Sequence, residues 1–390
     1  MLRAYKNYRI IHGGKIIDGM CLITNGDKIV GIKEGTDGAE EIFDGNGAFL
    51  SAGFIDIHVH GGNGYDFMDA CPEEYEEIAK FHAAHGTTSM YPTAVASHAE
   101  QINMLADAFE KTENANGARF HGIHLEGPYI SPAQCGALDK RYIHDPEKNE
   151  YERMLSRSCI KRMTIAPELG GALELGAYLK QNGKIASIGH TDASCAQTEE
   201  AFNTGAFPIL THFYSAMSMT RRVNAFRQGG VVEAGYLLDD IYVEVIADGC
   251  HLPPELLRLI VKSKRKDRVI LVTDAMRAAG MSEGESILGA RSNGIPVIVE
   301  DGVAKLMDKT AFAGSIATMD RLLRTIVGVG VSVEDAVTMM TENPAKAMGI
   351  DECFGSLDEG KAADIVIFSE KLEILETIIG GKTVFKKTNA

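Results

Sequence analysis

The chain has 390 residues, 45% of them hydrophobic and 24% charged, with 41 glycines. This is ordinary globular composition, with room for one large domain and a small one and with glycine for many tight loops. A formal net charge of −15 argues against nucleic acid or an anionic membrane as the main partner. A small anionic substrate stays open, because distant charge is screened beyond roughly 8 Å and local residues set the field in a pocket.

Residues 1–52 read as short strands and turns: Arg9-Ile10-Ile11, Lys15-Ile16-Ile17, Cys21-Leu22-Ile23, Lys28-Ile29-Val30 and Ala48-Phe49-Leu50, separated by Gly and Asn-Gly-Asp turns. The N-terminus has no apolar core for a signal peptide, and no apolar run reaches the ~20 residues of a membrane span. The middle alternates β and α. Apolar runs fall at 54–60, 88–95, 120–126, 162–166, 185–190, 207–213, 242–247 and 269–274. Helix-like segments separate most of them, among them Glu73 to His85, Ala99 to Lys111, Leu173 to Asn182 and Pro254 to Ser263. Eight β runs with α crossovers predict an α/β fold, a closed (β/α)8 TIM barrel. An open doubly wound sheet is the alternative; it wants a Gly-rich phosphate turn after its first strand, which Gly61-Gly62-Asn63-Gly64 matches only loosely. The C-terminal stretch returns to strands: Ala363 to Phe368, Ile374 to Ile379 and Lys382 to Phe385. The expected organisation is therefore a small β-sandwich domain from 1–52 plus 345–390 around a barrel at 53–344. Seven cysteines, scattered and without a Cys-x-x-Cys pair, fit a reducing compartment, so a cytoplasmic protein is expected.

A barrel carries its chemistry at the C-terminal ends of its strands. Strand one ends in His58-Val59-His60, whose two histidines face one way on a strand. Taken alone, such a pair is as often two loop-mouth polar residues as a metal site. Strand three ends in His124-Leu125-Glu126, strand five in Gly189-His190-Thr191-Asp192 and strand six in Thr211-His212. Strand seven ends in Asp248-Gly249-Cys250-His251 and strand eight in Thr273-Asp274. Gathered at one rim, nitrogen and carboxylate donors without thiolate suit Zn or Fe, with Mn or Co also compatible. Such an ion lowers the pKa of a bound water to about 7, and Asp274 is the candidate to take and return the proton. His82 and His85 lie on a helix-like stretch and are expected at the outer ring or surface. His124 is expected to support the site from below.

These residues resemble the amidohydrolase superfamily. Gly122-Ile123-His124-Leu125-Glu126-Gly127-Pro128, Gly189-His190-Thr191, Asp248-Gly249-Cys250-His251, Leu271-Val272-Thr273-Asp274-Ala275 and Phe312-Ala313-Gly314-Ser315 are similar to its branch that deacetylates phosphorylated N-acetyl amino sugars. The resemblance implies a main metal site on Glu126, His190 and His212. It implies a second on His58 and His60, with Glu126 bridging and Asp274 beside them, so one or two divalent ions per subunit. The implied reaction is hydrolysis of the N-acetyl group of N-acetylglucosamine 6-phosphate. The galacto epimer, or a cyclic amide, is the alternative; a cyclic-amide hydrolase would usually carry a strand-four lysine, absent from Arg162 to Glu168. Also implied are a phosphate held by backbone N–H groups near Ser215 and Ala216, His251 on the sugar or amide, and a homodimer whose arginine crosses the interface. Arg227 is the choice for that arginine and Arg222 the reserve. Leu138 stands where the branch often has a histidine, so the metal or His251 would face the acyl oxygen.

Overall fold

The computed structural model describes residues 1–36, 38–113 and 116–388. Eight parallel strands run through the middle, each followed by a helix. They are β1 (Phe54–Val59), α1 (Pro72–Ala84), β2 (Thr87–Val95), α2 (Ala99–Lys111), β3 (Ile123–Glu126), α3 (Lys148–Leu155), β4 (Ile160–Ile165) and α4 (Ala172–Gln181). The second half continues with β5 (Ile185–Ile188), α5 (Cys195–Asn203), β6 (Ile209–Leu210), α6 (Val231–Leu237), β7 (Tyr242–Val245), α7 (Pro254–Ser263), β8 (Val269–Leu271) and α8 (Met319–Gly328). Neighbours pair in parallel from β1 and β2 round to β7 and β8. Beyond β8 the seam is joined by Asp274 N–H donating to the His58 carbonyl (2.9 Å) and His60 N–H donating to the Ala275 carbonyl (2.8 Å). The sheet is thereby a closed (β/α)8 barrel, not an open doubly wound sheet.

Local chemistry explains the elements. Every residue of β1 is buried, as a parallel strand covered on both faces requires. Helix α8 buries Met319, Leu322, Leu323 and Ile326, an i, i+3, i+4, i+7 stripe that lies on the barrel. Helix α5 starts at a capping box, with Ser194 and Gln197 each accepting from the other's backbone N–H.

The two chain ends build mixed sheets. One has four strands, Leu2–Lys6, Cys21–Asn25, Lys28–Lys33 and Glu41–Asp44. The other has six and interleaves the termini, with Phe49–Ala52 paired antiparallel to Ile365–Phe368. Tyr5, Ile10, Leu22, Leu50, Ile365 and Ile378 form the core of this small β-sandwich. We propose 1–52 plus 345–390 as its domain and 53–344 as the barrel unit; residues 389–390 lie outside the described residues. After α9 (Val333–Met340), helix α10 (Glu342–Ala347) runs across that boundary, and its Ala345 packs in one cluster with Ile55 and Ile57 of β1.

An unforeseen addition sits between β8 and α8. Gly284–Leu288, Ile295–Glu300 and Val303–Leu306 form a three-stranded antiparallel sheet. Its second hairpin turns at Asp301 (φ 55°) and Gly302 (φ 74°), the paired left-handed geometry of a tight two-residue turn. The sheet buries Leu288, Val297 and Val299 against Ala137 and Met276 and so walls one side of the barrel mouth. No helix among the described residues is long and apolar enough to cross a membrane.

Candidate active site

Four histidines and two carboxylates meet at the C-terminal rim. Glu126 is the last residue of β3 and is buried. Its Oε1 lies 2.8 Å from His212 Nε2 and 3.1 Å from His190 Nε2, and those two nitrogens are 3.0 Å apart. Its Oε2 lies 3.2 Å from His60 Nε2. His58 Nε2 is 3.3 Å from His60 Nε2 and 3.5 Å from Glu126 Oε1. Asp274 Oδ1 stands 3.1 Å from His60 Nε2 and 3.4 Å from His58 Nε2. Two ligand-grade triads result, Glu126-His190-His212 and His58-His60-Glu126, and one carboxylate belongs to both.

The histidine tautomers are set from behind. His190 Nδ1–H donates to the Gln134 carbonyl (2.8 Å) and His60 Nδ1–H to the Thr93 carbonyl (3.2 Å). His58 Nδ1–H donates to Glu244 Oε2 (3.3 Å). Each partner can only accept, so each of these rings turns an Nε2 lone pair to the rim. His212 Nδ1 is buried without a partner among the described residues, so its tautomer follows what Nε2 binds. Lone pairs 3 Å apart repel unless a cation or proton lies among them. Donor atoms held by one tetrahedral Zn at about 2.0–2.1 Å stand roughly 3.3 Å from one another. The observed separations of 2.8 to 3.1 Å around Glu126 Oε1 come near that edge length, and the donor set fits a divalent ion. The charges agree. Burial opposes protonation of His58, yet the Glu126 and Asp274 carboxylates outweigh it and hold His58 well above its ordinary value. Burial likewise penalises the Glu126 carboxylate, but His58, His190 and His212 hold it well below the ordinary range. The rim carries negative charge that wants a cation.

The backbone is bent to present these groups. His190 (φ 48°), His212 (φ 30°) and Asp274 (φ 49°) all sit in the left-handed region, where non-glycine residues are uncommon. Such strain collects at functional sites and persists where neighbours over-determine it. Gly189, just before His190, leaves no room for a side chain: an added Cβ would lie 2.8 Å from Thr164 Cγ2 and 2.8 Å from Thr211 Cβ. Gly189→Ala is expected to lower stability by about 1–3 kcal/mol, the usual cost of overpacking. Thermal unfolding measures it, and an unchanged midpoint contradicts this packing.

A cavity of about 480 Å³ opens over the rim, within the range of small-molecule sites. His60, Glu126, His190, His212 and Asp274 form its floor, and Leu138, Ser215, Ala216 and His251 line its walls. His251 Nδ1–H donates to Asp248 (2.8 Å), which leaves Nε2 for a ligand. Burial would raise the Asp248 carboxyl, but this hydrogen bond holds it below the ordinary range. Tyr214, Phe312 and Leu288 also line the cavity and were not anticipated. Phe312 stands with its ring 4.7 Å from that of His251. Its neighbourhood depends on the three-stranded insertion; the segment Phe312-Ala313-Gly314-Ser315 carries the resemblance, but it assigns the ring no role.

Two details depart from expectation. His82 lies on the outer-ring helix α1 but is fully buried; α1 packs under the site loop and His82 Nε2–H donates to the Gly61 carbonyl (3.0 Å). Burial pushes its pKa down to about 4. The Ser215 N–H is already engaged, donating to the His212 carbonyl (2.9 Å). Arg227 and Arg222 do not line this chain's cavity. They face each other across an exposed hairpin, Arg221–Val223 with Phe226–Gln228, whose Phe226 is 80% exposed. His124 lies behind the rim as expected, edge-on to His58 with ring centroids 4.7 Å apart, its Nε2 2.7 Å from Thr164 Oγ1.

A (β/α)8 barrel with such a rim defines the class as the metal-dependent barrel hydrolases. The model of the amidohydrolase family matches residues 49–384, and the chain belongs to that family. The N-acetylglucosamine-6-phosphate deacetylase of Bacillus subtilis (strain 168) is 36% identical over 344 residues, which cover 86% of this chain and 84% of that protein. The N-acetylgalactosamine-6-phosphate deacetylase of Escherichia coli O157:H7 is 33% identical over 85% of this chain and 87% of its own length. Among solved structures, N-acetylglucosamine-6-phosphate deacetylase from Pasteurella multocida superposes with a TM-score of 0.90 at 29% identity, over 100% of both chains.

Proposed function

We propose that this chain hydrolyses the N-acetyl amide of N-acetylglucosamine 6-phosphate to glucosamine 6-phosphate and acetate. The shared carboxylate carries the reading: Glu126 offers Oε1 to His190 and His212 and Oε2 to His60. A bound divalent ion would supply an acidified water and a Lewis acid for the acyl carbonyl. Glu126, His190 and His212 would hold the main ion, and His58 and His60, with Glu126, a second. The Asp274 carboxylate accepts the proton of the attacking water at Oδ1 and returns it to the departing nitrogen as the C–N bond breaks. His251, kept in one tautomer by Asp248, presents Nε2 to the sugar or the scissile amide. Leu138 adds an apolar wall and no donor, so polarising the acyl oxygen would fall to a bound ion and to His251.

At the cavity wall, the Ser215 hydroxyl and the Ala216 amide are the groups proposed to take the phosphate. An arginine completes that grip, since a guanidinium fork matches phosphate oxygens. Arg227, on a projecting hairpin beside exposed Phe226, is proposed to reach the site of a second copy in a homodimer. Mixing two inactive variants tests this. Arg227→Ala and Asp274→Asn chains, unfolded and refolded together, are expected to regain activity that neither shows alone, because one mixed site keeps both residues. No recovery in a mixture shown to contain hybrid dimers contradicts a shared site. We propose a cytoplasmic setting, consistent with seven free thiols.

The assay that tests the function is acetate release from N-acetylglucosamine 6-phosphate beside its galacto epimer and unphosphorylated N-acetylglucosamine. The expected order has the gluco phosphate first and the unphosphorylated sugar last. A preference for the galacto epimer would favour the second reading, to which the relative from Escherichia coli O157:H7 points.

A further inference from the structure

The bulkiest wholly buried side chain among the described residues is Arg162, on β4. Its Nε donates to Ser187 Oγ on β5 (3.0 Å), its Nη2 to Thr211 Oγ1 just after β6 (3.0 Å) and its Nη1 to the Ile57 carbonyl on β1 (3.3 Å). Nη1 also pairs with Glu244 Oε1 on β7. The other oxygen of that carboxylate, Oε2, accepts from His58 Nδ1 (3.3 Å) and from the His212 backbone N–H (3.2 Å). Neither Arg162 nor Glu244 lines the cavity, and both are fully buried.

We infer that Glu244, oriented by Arg162, is a positioning residue that fixes the ring and tautomer of His58 and thereby admits the second ion. The inference rests on the two-ion reading of the site. Stability alone does not account for the pair. Barrel interiors are ordinarily filled by branched apolar side chains, and replacing a buried ion pair with such residues is often neutral or stabilising. The connectivity does account for it. A carboxylate only accepts, so the proton of neutral His58 stays on Nδ1 and the Nε2 lone pair faces Glu126, His60 and Asp274. Arg162 only donates, so it dictates which atom of residue 244 may face it. With glutamine at that position, the amide oxygen must turn to Arg162 and the NH2 group to His58. His58 would then accept at Nδ1, carry its proton on Nε2 and cease to be a ligand. The Glu126-His190-His212 triad keeps all of its donor atoms; what changes there is that the His212 backbone N–H loses its acceptor at Oε2.

Ion content of Glu244→Gln tests this. Parent and variant are saturated with Zn²⁺, freed of excess ion and measured by elemental analysis, with chelator competition for each site. The folded fraction of each is checked by circular dichroism. The parent is expected to hold two ions per chain. The folded variant should hold one, its second-site affinity reduced by about 10–100-fold, the usual effect of losing a group that supports a ligand. Glu244→Asp, which keeps the charge but withdraws it from His58, should also hold one, and it decides the matter if the glutamine variant does not fold. Two ions in a folded variant overturn the inference and leave the two-ion site standing. Loss of both ions with a collapsed unfolding midpoint in both variants also overturns it, since that marks a merely structural role. A parent with a single ion overturns the two-ion reading, and the inference with it.

Discussion

Replacing Asp274 with asparagine is expected to lower kcat for acetate release by about 10²–10⁴-fold, the range that a positioned acid–base group contributes. The side chain is held for one task. Its backbone N–H donates to the His58 carbonyl (2.9 Å), and its carbonyl accepts from Ser315 N–H (2.7 Å). The left-handed φ of 49° aims the carboxylate at His58 and His60, where it lies buried. Burial would raise its pKa, but His58 and His60 keep it below the ordinary carboxylate range, so it is a base at neutral pH. Asparagine preserves the shape and one acceptor oxygen, yet cannot carry a proton from water to the leaving nitrogen. KM should change little, because the phosphate and sugar contacts lie elsewhere. Turnover within a few-fold of the parent removes Asp274 from the mechanism.

The second large effect belongs to Glu126. Glu126→Gln should reduce activity at least as far as Asp274→Asn and should also lower the metal content of the purified protein. Both triads use this one carboxylate, so both lose their negative ligand together. The amide oxygen can still serve one side, but its NH2 group then faces histidine lone pairs on the other. Elemental analysis beside the kinetic assay measures the effect. A variant that keeps full ion content and activity contradicts the shared-carboxylate geometry.

Much of this was readable in the chain. The alternation of β and α runs gave the barrel, because each parallel strand must be apolar on both faces while its helix needs only a stripe. The rim residues were readable because barrel chemistry gathers at strand ends, so His58, Glu126, His190, His212 and Asp274 could be named before any contact was known. What escaped depends on distance in sequence. Arg162 and Glu244 are 82 residues apart, and nothing near either signals the other. For His82 the helix pattern places it on the outer ring but does not show its burial, which comes from the site loop 21 residues away. The three-stranded insertion carries a local sign, Asp301-Gly302 between two alternating runs, but that turn is indistinguishable in residue type from the barrel's own turns. Phe312 could not be placed without that insertion. The engaged Ser215 amide follows from a turn whose geometry depends on strained His212 and Tyr214 (φ 78°), which residue types alone do not reveal.

Acetate release from N-acetylglucosamine 6-phosphate by one preparation, before and after chelator stripping and again after Zn²⁺ is restored, tests the central claim most directly. The account predicts turnover in the loaded protein, loss to background in the stripped but still folded protein, and recovery with the returned ion. Undiminished turnover in protein shown by elemental analysis to be metal-free would contradict it.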